Sequence, residues 1–323
     1  MALHPLGVTD GVVVAELVRD SVVESLHLGV VAVSDPSGKL LLEKGNTQAV
    51  VYPRSTLKPL QALALLSTGV EFTPLELALS TASHCGSAQH RDAITAFLHH
   101  HQLGPHHLRC PEDWPLGSGE RAALMAEGGH PSRLAMNCSG KHAGFLATCQ
   151  HQSWDLDTYL SPSHPLQTLI VDTITDYAGE TPSFSSVDGC GSPLHALSVG
   201  ALARAFARVG SARTAHEKQL LDAVKNNSWA LDGQGRDNTV TIDTIGGIAK
   251  IGAEGLVAMT TPEGVGVAVK ILDGSMRATT VVAVSALASV GAISSDAYTT
   301  LADVLAVPVT GGESTIGGLR PTI

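Results

Sequence analysis

The arrangement of strand-like runs at both ends of this chain, around a middle that reads as helix, restricts its fold more than any other feature. Val12–Leu17, Val22–Leu28, Gly29–Ser34 and Leu40–Glu43 are short β-branched or apolar runs, a composition that suits a pleated, half-buried surface. Asp35-Pro36-Ser37-Gly38 is a turn sequence, so the runs on either side of it are expected to pair as a hairpin. Similar runs return from Ile242, at Gly247–Ile251, Leu256–Thr261 and Gly266–Leu272, with Thr261-Pro262-Glu263-Gly264 turning between the last two. Two helices, Met276–Val290 and Asp296–Leu305, are expected to close the chain. A few strands cannot bury an apolar face alone, so the two ends should share one antiparallel sheet that encloses a helical insertion. The expectation is an α+β fold, an α/β sandwich, in a single catalytic unit over 1–323, with a sheet subdomain of 1–52 plus 242–323 and a helical subdomain of 53–241.

The helical middle has its own punctuation. Leu57, Leu60, Leu63 and Ala64 follow Ser55 at close to helical spacing. Thr73-Pro74-Leu75-Glu76 is a capping box with proline at the first helical position, opening a helix to about Leu79. Further helices are expected at Glu120–Glu127, Ala143–Cys149, Pro162–Ala178, Leu194–Arg208 and Thr214–Trp229. His99, His100 and His101 stand at a helix end, where partial positive charge is favoured. Three adjacent histidines on a helix do not converge on one ion, so they are read as a solvated end.

Composition narrows the partners. With 44% hydrophobic and 15% charged residues, the 323-residue chain can bury a sizeable core. A formal net charge of -10 argues against a nucleic-acid backbone or an anionic membrane surface as partner. Apolar runs such as Thr279–Val290 are too short to cross a bilayer. No basic segment precedes an apolar run in Met1–Asp10, so no signal peptide is read there. Five cysteines are odd in number and too few for a disulfide scaffold, which suits a reducing cytoplasm.

Chemistry concentrates in a few short stretches. In Pro53-Arg54-Ser55-Thr56-Leu57-Lys58-Pro59, Ser55 and Lys58 lie three positions apart, on one face if Ser55 opens a helix. A serine beside an unprotonated amine is an activated nucleophile, whereas a serine cap followed by a solvated lysine is the plain alternative. Ser83-His84 precedes Gly86, Met136–Gly144 is dense in polar residues and glycine, and Val187–Pro193 is a glycine-flanked turn. Two lysines in one cleft would lower each other's pKa, and burial acts in the same direction.

Taken together, Arg54-Ser55 with Lys58-Pro59, Ser83-His84, Asn137–His142, Asp188–Pro193 and Ala249–Gly255 resemble the L-asparaginase II family of the rhizobial thermolabile type. The matches occur in the family's order and span nearly the whole chain. That family is similar in fold to serine β-lactamases, penicillin-binding transpeptidases and glutaminases, with an antiparallel sheet from the chain ends and an inserted helical cluster. The resemblance implies hydrolysis of L-asparagine to L-aspartate and ammonia through an acyl-enzyme on Ser55. It pairs Ser55 with Lys58 and Ser83 with a C-terminal lysine, taken as Lys250 with Lys270 as runner-up. Which lysine accepts the Ser55 proton stays open. Ile251 departs from the hydroxyl residue of the related Lys-Thr-Gly strand.

The resemblance also implies a zinc ion held by Cys138, Lys141 and Cys190, shaping the pocket rather than activating water, and a cytoplasmic homodimer. Arg54 can fork onto the substrate carboxylate and Asp188 can accept from its ammonium, with His84, Asn137 and His142 as further binding candidates. Cys85, Cys110 and Cys149 are read as packing residues. A glutaminase or another acyl-serine amidase of this fold is the nearest alternative, and a non-catalytic zinc-binding or ligand-sensing protein is a second. A β-lactamase or transpeptidase fits less well, because the chain lacks Ser-Asp-Asn and an intact Lys-Thr-Gly.

Overall fold

In the computed structural model, which describes residues 3–323, the two ends of the chain build one antiparallel sheet. Its strands lie in the order Pro308–Gly311, Ser314–Pro321, Val12–Arg19, Val22–Ser34, Gly266–Ile271, Leu256–Thr260, Ile248–Ile251. Leu40–Lys44 pairs with the second half of Val22–Ser34, from Val31↔Lys44 to Ser34↔Leu40, past the point where Val12–Arg19 ends. The Asp35 carboxylate fixes that hairpin by accepting from the N–H groups of Ser37 and Lys39. The α+β architecture is therefore the one expected, with helices inserted between the two groups of strands.

Several elements differ from their sequence-based bounds. Val22–Leu28 and Gly29–Ser34 form one 13-residue strand. Gly29 does not interrupt it; a Cβ there would lie 2.7 Å from the Lys270 carbonyl, so glycine marks a close backbone approach. The chain does not end in helices: after Ser295–Val304 a hairpin follows, and Ser314–Pro321 pairs with Val12–Arg19. Strands return at Ile248 rather than Ile242, because Asp237–Ile245 is a helix closed by Gly246 at φ 74°. The stretch expected as Thr214–Trp229 divides into the helix Ala215–Asn226 and a 3-10 turn, Ser228–Leu231. The helix expected from Leu194 begins at Val199, where the Ser198 hydroxyl accepts from the Ala201 N–H. Pro165, not Pro162, opens the helix that runs to Ala178.

Leu256–Thr260 and Gly266–Ile271 are buried at every position, so both faces of the sheet centre are covered. Val199–Gly210 and Thr279–Ser289 supply the two covers. A Cβ on Gly266 would fall 2.3 Å from both the Ala203 carbonyl and the Ala207 N–H nitrogen, so the first of these helices rests on bare backbone. Gly266→Ala is expected to destabilise the protein by about 1–3 kcal/mol through overpacking, measured as a lower urea midpoint at unchanged m-value. Strand alternation then sets the active face: Ala268 shares the Gly266 face, and Ala258 and Lys250 lie in register with Ala268 across the sheet. Lys250 therefore points to the face that Val199–Gly210 covers.

Candidate active site

The segment holding Ser55 is a 3-10 turn, Arg54–Leu57, which runs into the helix Lys58–Leu66. Every residue of that helix is buried, so Lys58 enters the interior with only 2% of its surface exposed. Its amine needs acceptors there. It finds the Ala82 carbonyl, Ser83 Oγ at 2.9 Å and Cys138 Sγ at 3.2 Å. Lys250 is wholly buried and donates to Ser83 Oγ at 2.8 Å and to its neighbour's carbonyl, Ile251 O, at 2.8 Å. Ser83 thus stands between two lysine amines. The Ser55 hydroxyl makes no hydrogen bond to a described residue, so Lys58 turns to the interior acceptors rather than back to Ser55.

Ser83 is held by its backbone. After the helix Pro74–Ser80 the chain runs extended, with the Ser83 N–H on Leu231 O at 2.8 Å, the His84 N–H on Asn137 O at 3.1 Å and the Cys85 N–H on Asp232 O at 2.6 Å. Burial, and then the positive charge of Lys58, brings the Lys250 amine from 10.5 down to about 7, against the opposing pull of Asp232. Lys270, the other candidate, donates to the Glu254 carbonyl and does not reach Ser83.

Ser55, Ser83 and Asn137 line a cavity of about 790 Å³, within the usual size of small-molecule sites. Sequence reasoning missed four polar residues on the same wall, Asp232, Arg236, Asp237 and Asn238. Arg236 Nε donates to Asp232 Oδ1 at 2.6 Å, and Asn238 Oδ1 accepts from the Ile251 N–H at 2.9 Å. Burial first, and then the charge of Asp232, raises the Asp237 carboxyl above its ordinary range. The signal was present in Asp232-Gly233-Gln234-Gly235-Arg236-Asp237-Asn238, a polar run punctuated by glycine like the stretches that were singled out.

The remaining candidates lie behind or beside this cavity. Arg54 has φ 53°, an uncommon conformation for a side chain of its size, and its Nε donates to Asp188 Oδ1 at 2.8 Å. Arg54 and Asp188 are thus joined to each other. His84 is fully buried, with Nε2 2.9 Å from Ser139 Oγ and its ring stacked on His90 at 5.0 Å. His142 is equally buried, with Nδ1 2.7 Å from the Tyr159 hydroxyl, and burial holds its imidazole below the ordinary value.

Cys138, Lys141 and Cys190 come together from distant parts of the chain. Cys138 caps the helix Ser139–Gln152, and Lys141 lies one turn along it. Cys190 sits in the loop joining Ser185–Val187 to Pro193–His195, closed by the Asp188 N–H on Ser192 O and the Gly191 N–H on Asp188 O. Lys141 Nζ donates to Cys190 Sγ at 3.1 Å. The hydrogen bond from Cys138, then Lys141 and His142, hold the Cys190 thiol well below its ordinary value despite burial; the same bond keeps Cys138 protonated. Burial opposes charge on Lys141, but the two sulfurs outweigh it and raise the amine. Cys85, Cys110 and Cys149 are buried and free, and burial pushes all three thiols up.

Among the described residues no helix is long and apolar enough to cross a membrane. No curated protein matches the chain. Similar solved structures include Mglu in its glutamate form, at 13% identity and TM-score 0.48, covering 81% of this chain and 60% of that one. A β-lactamase from Mycobacterium bovis is 13% identical at TM-score 0.44, covering 81% and 94%. EstCE1, a hydrolase with promiscuous acyltransferase activity, is 12% identical at TM-score 0.39, covering 81% and 90%. The chain thus spans about 60% of the length of the Mglu structure. A sequence model of L-asparaginase II matches residues 15–321, almost the whole length, and the chain accordingly belongs to the L-asparaginase II family.

Proposed function

We propose that the protein is an L-asparaginase in which Ser55 attacks the side-chain amide carbon of L-asparagine and ammonia leaves from the resulting tetrahedral intermediate. The observation that carries this reading is the Lys58–Ser83–Lys250 chain, with Oγ–Nζ separations of 2.9 and 2.8 Å, whose central Ser83 lines the same cavity as Ser55. A lysine near 7 is half neutral at physiological pH and can serve as a base. Lys58 passes a proton through the Ser83 hydroxyl to neutral Lys250, the terminal acceptor, and, made neutral by that transfer, its amine turns from the Ala82 carbonyl to take the Ser55 proton as Ser55 attacks. The same relay returns a proton to the departing nitrogen, and water then hydrolyses the acyl-enzyme with the lysines again acting as base.

Substrate recognition follows from charge. Arg54 uses Nε on Asp188, so its terminal nitrogens remain to fork onto the α-carboxylate, while Asp188 accepts from the α-ammonium. Asn137 contributes a side-chain amide at the cavity wall. His84 and His142 act from behind, fixing Ser139 and Tyr159.

Cys138, Lys141 and Cys190 fit a zinc ion by their chemistry: two sulfurs and an amine, buried together, with one thiol already poised to ionise. Lys141 must lose its proton to bind, so occupancy should fall at low pH. When bound, the ion would supply a fixed positive charge that shapes the pocket. The chain's own residues link the two regions through the Lys58–Cys138 contact of 3.2 Å. Cys190→Ser is expected to remove one zinc equivalent by elemental analysis; undiminished zinc would remove the assignment.

The position of Ser83 between both amines also favours a second reading, in which Ser83 is the attacking hydroxyl. Ammonia release from L-asparagine and L-glutamine by wild type and Ser55→Ala tests the function. Faster release from L-glutamine would make the protein a glutaminase, and no release from either amide between about pH 6 and 10, where a lysine amine can be tuned, would exclude both.

A further inference from the structure

The histidine-rich end of the helix Ala88–His100 is not simply solvated. The helix stops at His100, and His101 leaves it at φ -94°, ψ 20°, so the two rings come to 4.8 Å with a 58° tilt. Both meet Glu76 from the start of a different helix: His100 Nδ1 is 2.7 Å from Oε1, and His101 Nε2 is 3.7 Å from Oε2. The second distance is too long for a hydrogen bond. His101 Nε2 is buried and has no hydrogen-bond partner, although it faces a carboxylate. A buried nitrogen in that position calls for a partner.

We propose that Glu76, His100 and His101 form a binding site for one divalent transition-metal ion of the zinc class, separate from Cys138, Lys141 and Cys190. One ligand atom from each of the three residues can be chosen so that all lie within 4.8 Å of one another. Zinc–nitrogen and zinc–oxygen lengths of about 2.0–2.1 Å put tetrahedral ligands about 3.4 Å apart, so the 3.7 Å His101–Glu76 separation already suits an intervening ion. The His100–Glu76 pair would open slightly to admit it. Glu76 Oε2 also accepts from the Thr73 N–H at 2.8 Å, and the His101 ring is packed edge-on against Phe72 and Phe97. Such outer contacts hold ligands in place. The helix C-terminus favours a cation, and both histidines line a surface cleft of about 390 Å³ through which an ion can arrive, with water as the fourth ligand. Binding would tie the start of Pro74–Ser80 to the end of Ala88–His100.

Cobalt(II) titration of the full chain after chelator treatment tests this, read by absorption and by thermal unfolding. Thiolate ligation gives cobalt a near-ultraviolet charge-transfer band that imidazole and carboxylate do not, so the two sites report separately. One equivalent should bind without that band, raise the Tm, and be lost in His100→Ala while any thiolate band persists. The His100 side chain is 57% exposed, so its removal disturbs little packing. Glu76→Gln keeps an acceptor for Thr73 and should weaken the same equivalent by at least the roughly 10-fold that loss of an outer partner costs. Equal uptake by wild type and His100→Ala, or no equivalent outside the thiols in wild type, would overturn the proposal.

Discussion

Ser55→Ala is expected to lower ammonia release from L-asparagine by about 10⁴- to 10⁶-fold, the range seen when an acyl-enzyme nucleophile is deleted. Ser55 lies on the cavity wall, in the 3-10 turn that leads into a fully buried helix, and its side chain makes no hydrogen bond to a described residue. Its loss should therefore leave the Tm nearly unchanged, because surface-facing substitutions away from packing contacts move stability by about 0.5 kcal/mol or less. The residual rate should come from binding and from the remaining donors. Ser83→Ala should cost less, since it removes a relay and leaves the attacking atom in place. Abolition of release in Ser83→Ala, with release persisting in Ser55→Ala, would reverse their roles.

Lys250→Met is expected to reduce the same rate by about 10²- to 10⁴-fold, as removal of a general base does, and at the same time to stabilise the protein. Burying Lys250 holds its folded-state value at about 7 against 10.5 for the free amine. The sign follows from proton binding: between pH 7 and 10.5 the unfolded chain binds the proton more strongly, so folding stability rises with pH across that window. Below pH 7 the buried charge costs on the order of 5 kcal/mol, from about 1.36 kcal/mol for each pKa unit. Lys250→Met should therefore gain most over wild type at pH 6 and much less at pH 10, by urea unfolding. In the wild type, kcat/KM should fall as pH drops through about 7, on an acid limb set by the free enzyme. A gain in stability equal at both pH values would show that Lys250 is not held neutral.

The parts of the fold legible in sequence were those with strong local chemistry. Asp35-Pro36-Ser37-Gly38 announced its hairpin because an aspartate can hold the turn by itself, as it does. Thr73 and Glu76 announced their capping box for the same reason. The C-terminal strand Ser314–Pro321 stayed hidden because Gly317 and Gly318 weaken its β character, and only pairing with Val12–Arg19 makes it a strand. In the site, the spacing of Ser55 and Lys58 was visible, but the direction of the Lys58 amine was not. That depends on Ala82 and Ser83, in a segment held by the Ser83 N–H on Leu231 O and the Cys85 N–H on Asp232 O. Asp232–Asn238 was overlooked because its function-bearing groups act through a hydrogen bond to Ile251 and through the field at Lys250, both on a strand whose position beside them only the fold fixes. Likewise Glu76 and His100, 24 residues apart, meet only through packing.

The decisive measurement is where the acyl group resides during turnover. Wild-type protein mixed with L-asparagine, acid-quenched within the first turnovers and digested, should carry an aspartyl ester on the peptide containing Ser55 by mass spectrometry. The adduct should be absent from Ser55→Ala and should accumulate in Lys250→Met if deacylation is slowed more than acylation. An adduct on the peptide containing Ser83, or steady ammonia release with no adduct on either serine, would contradict attack by Ser55.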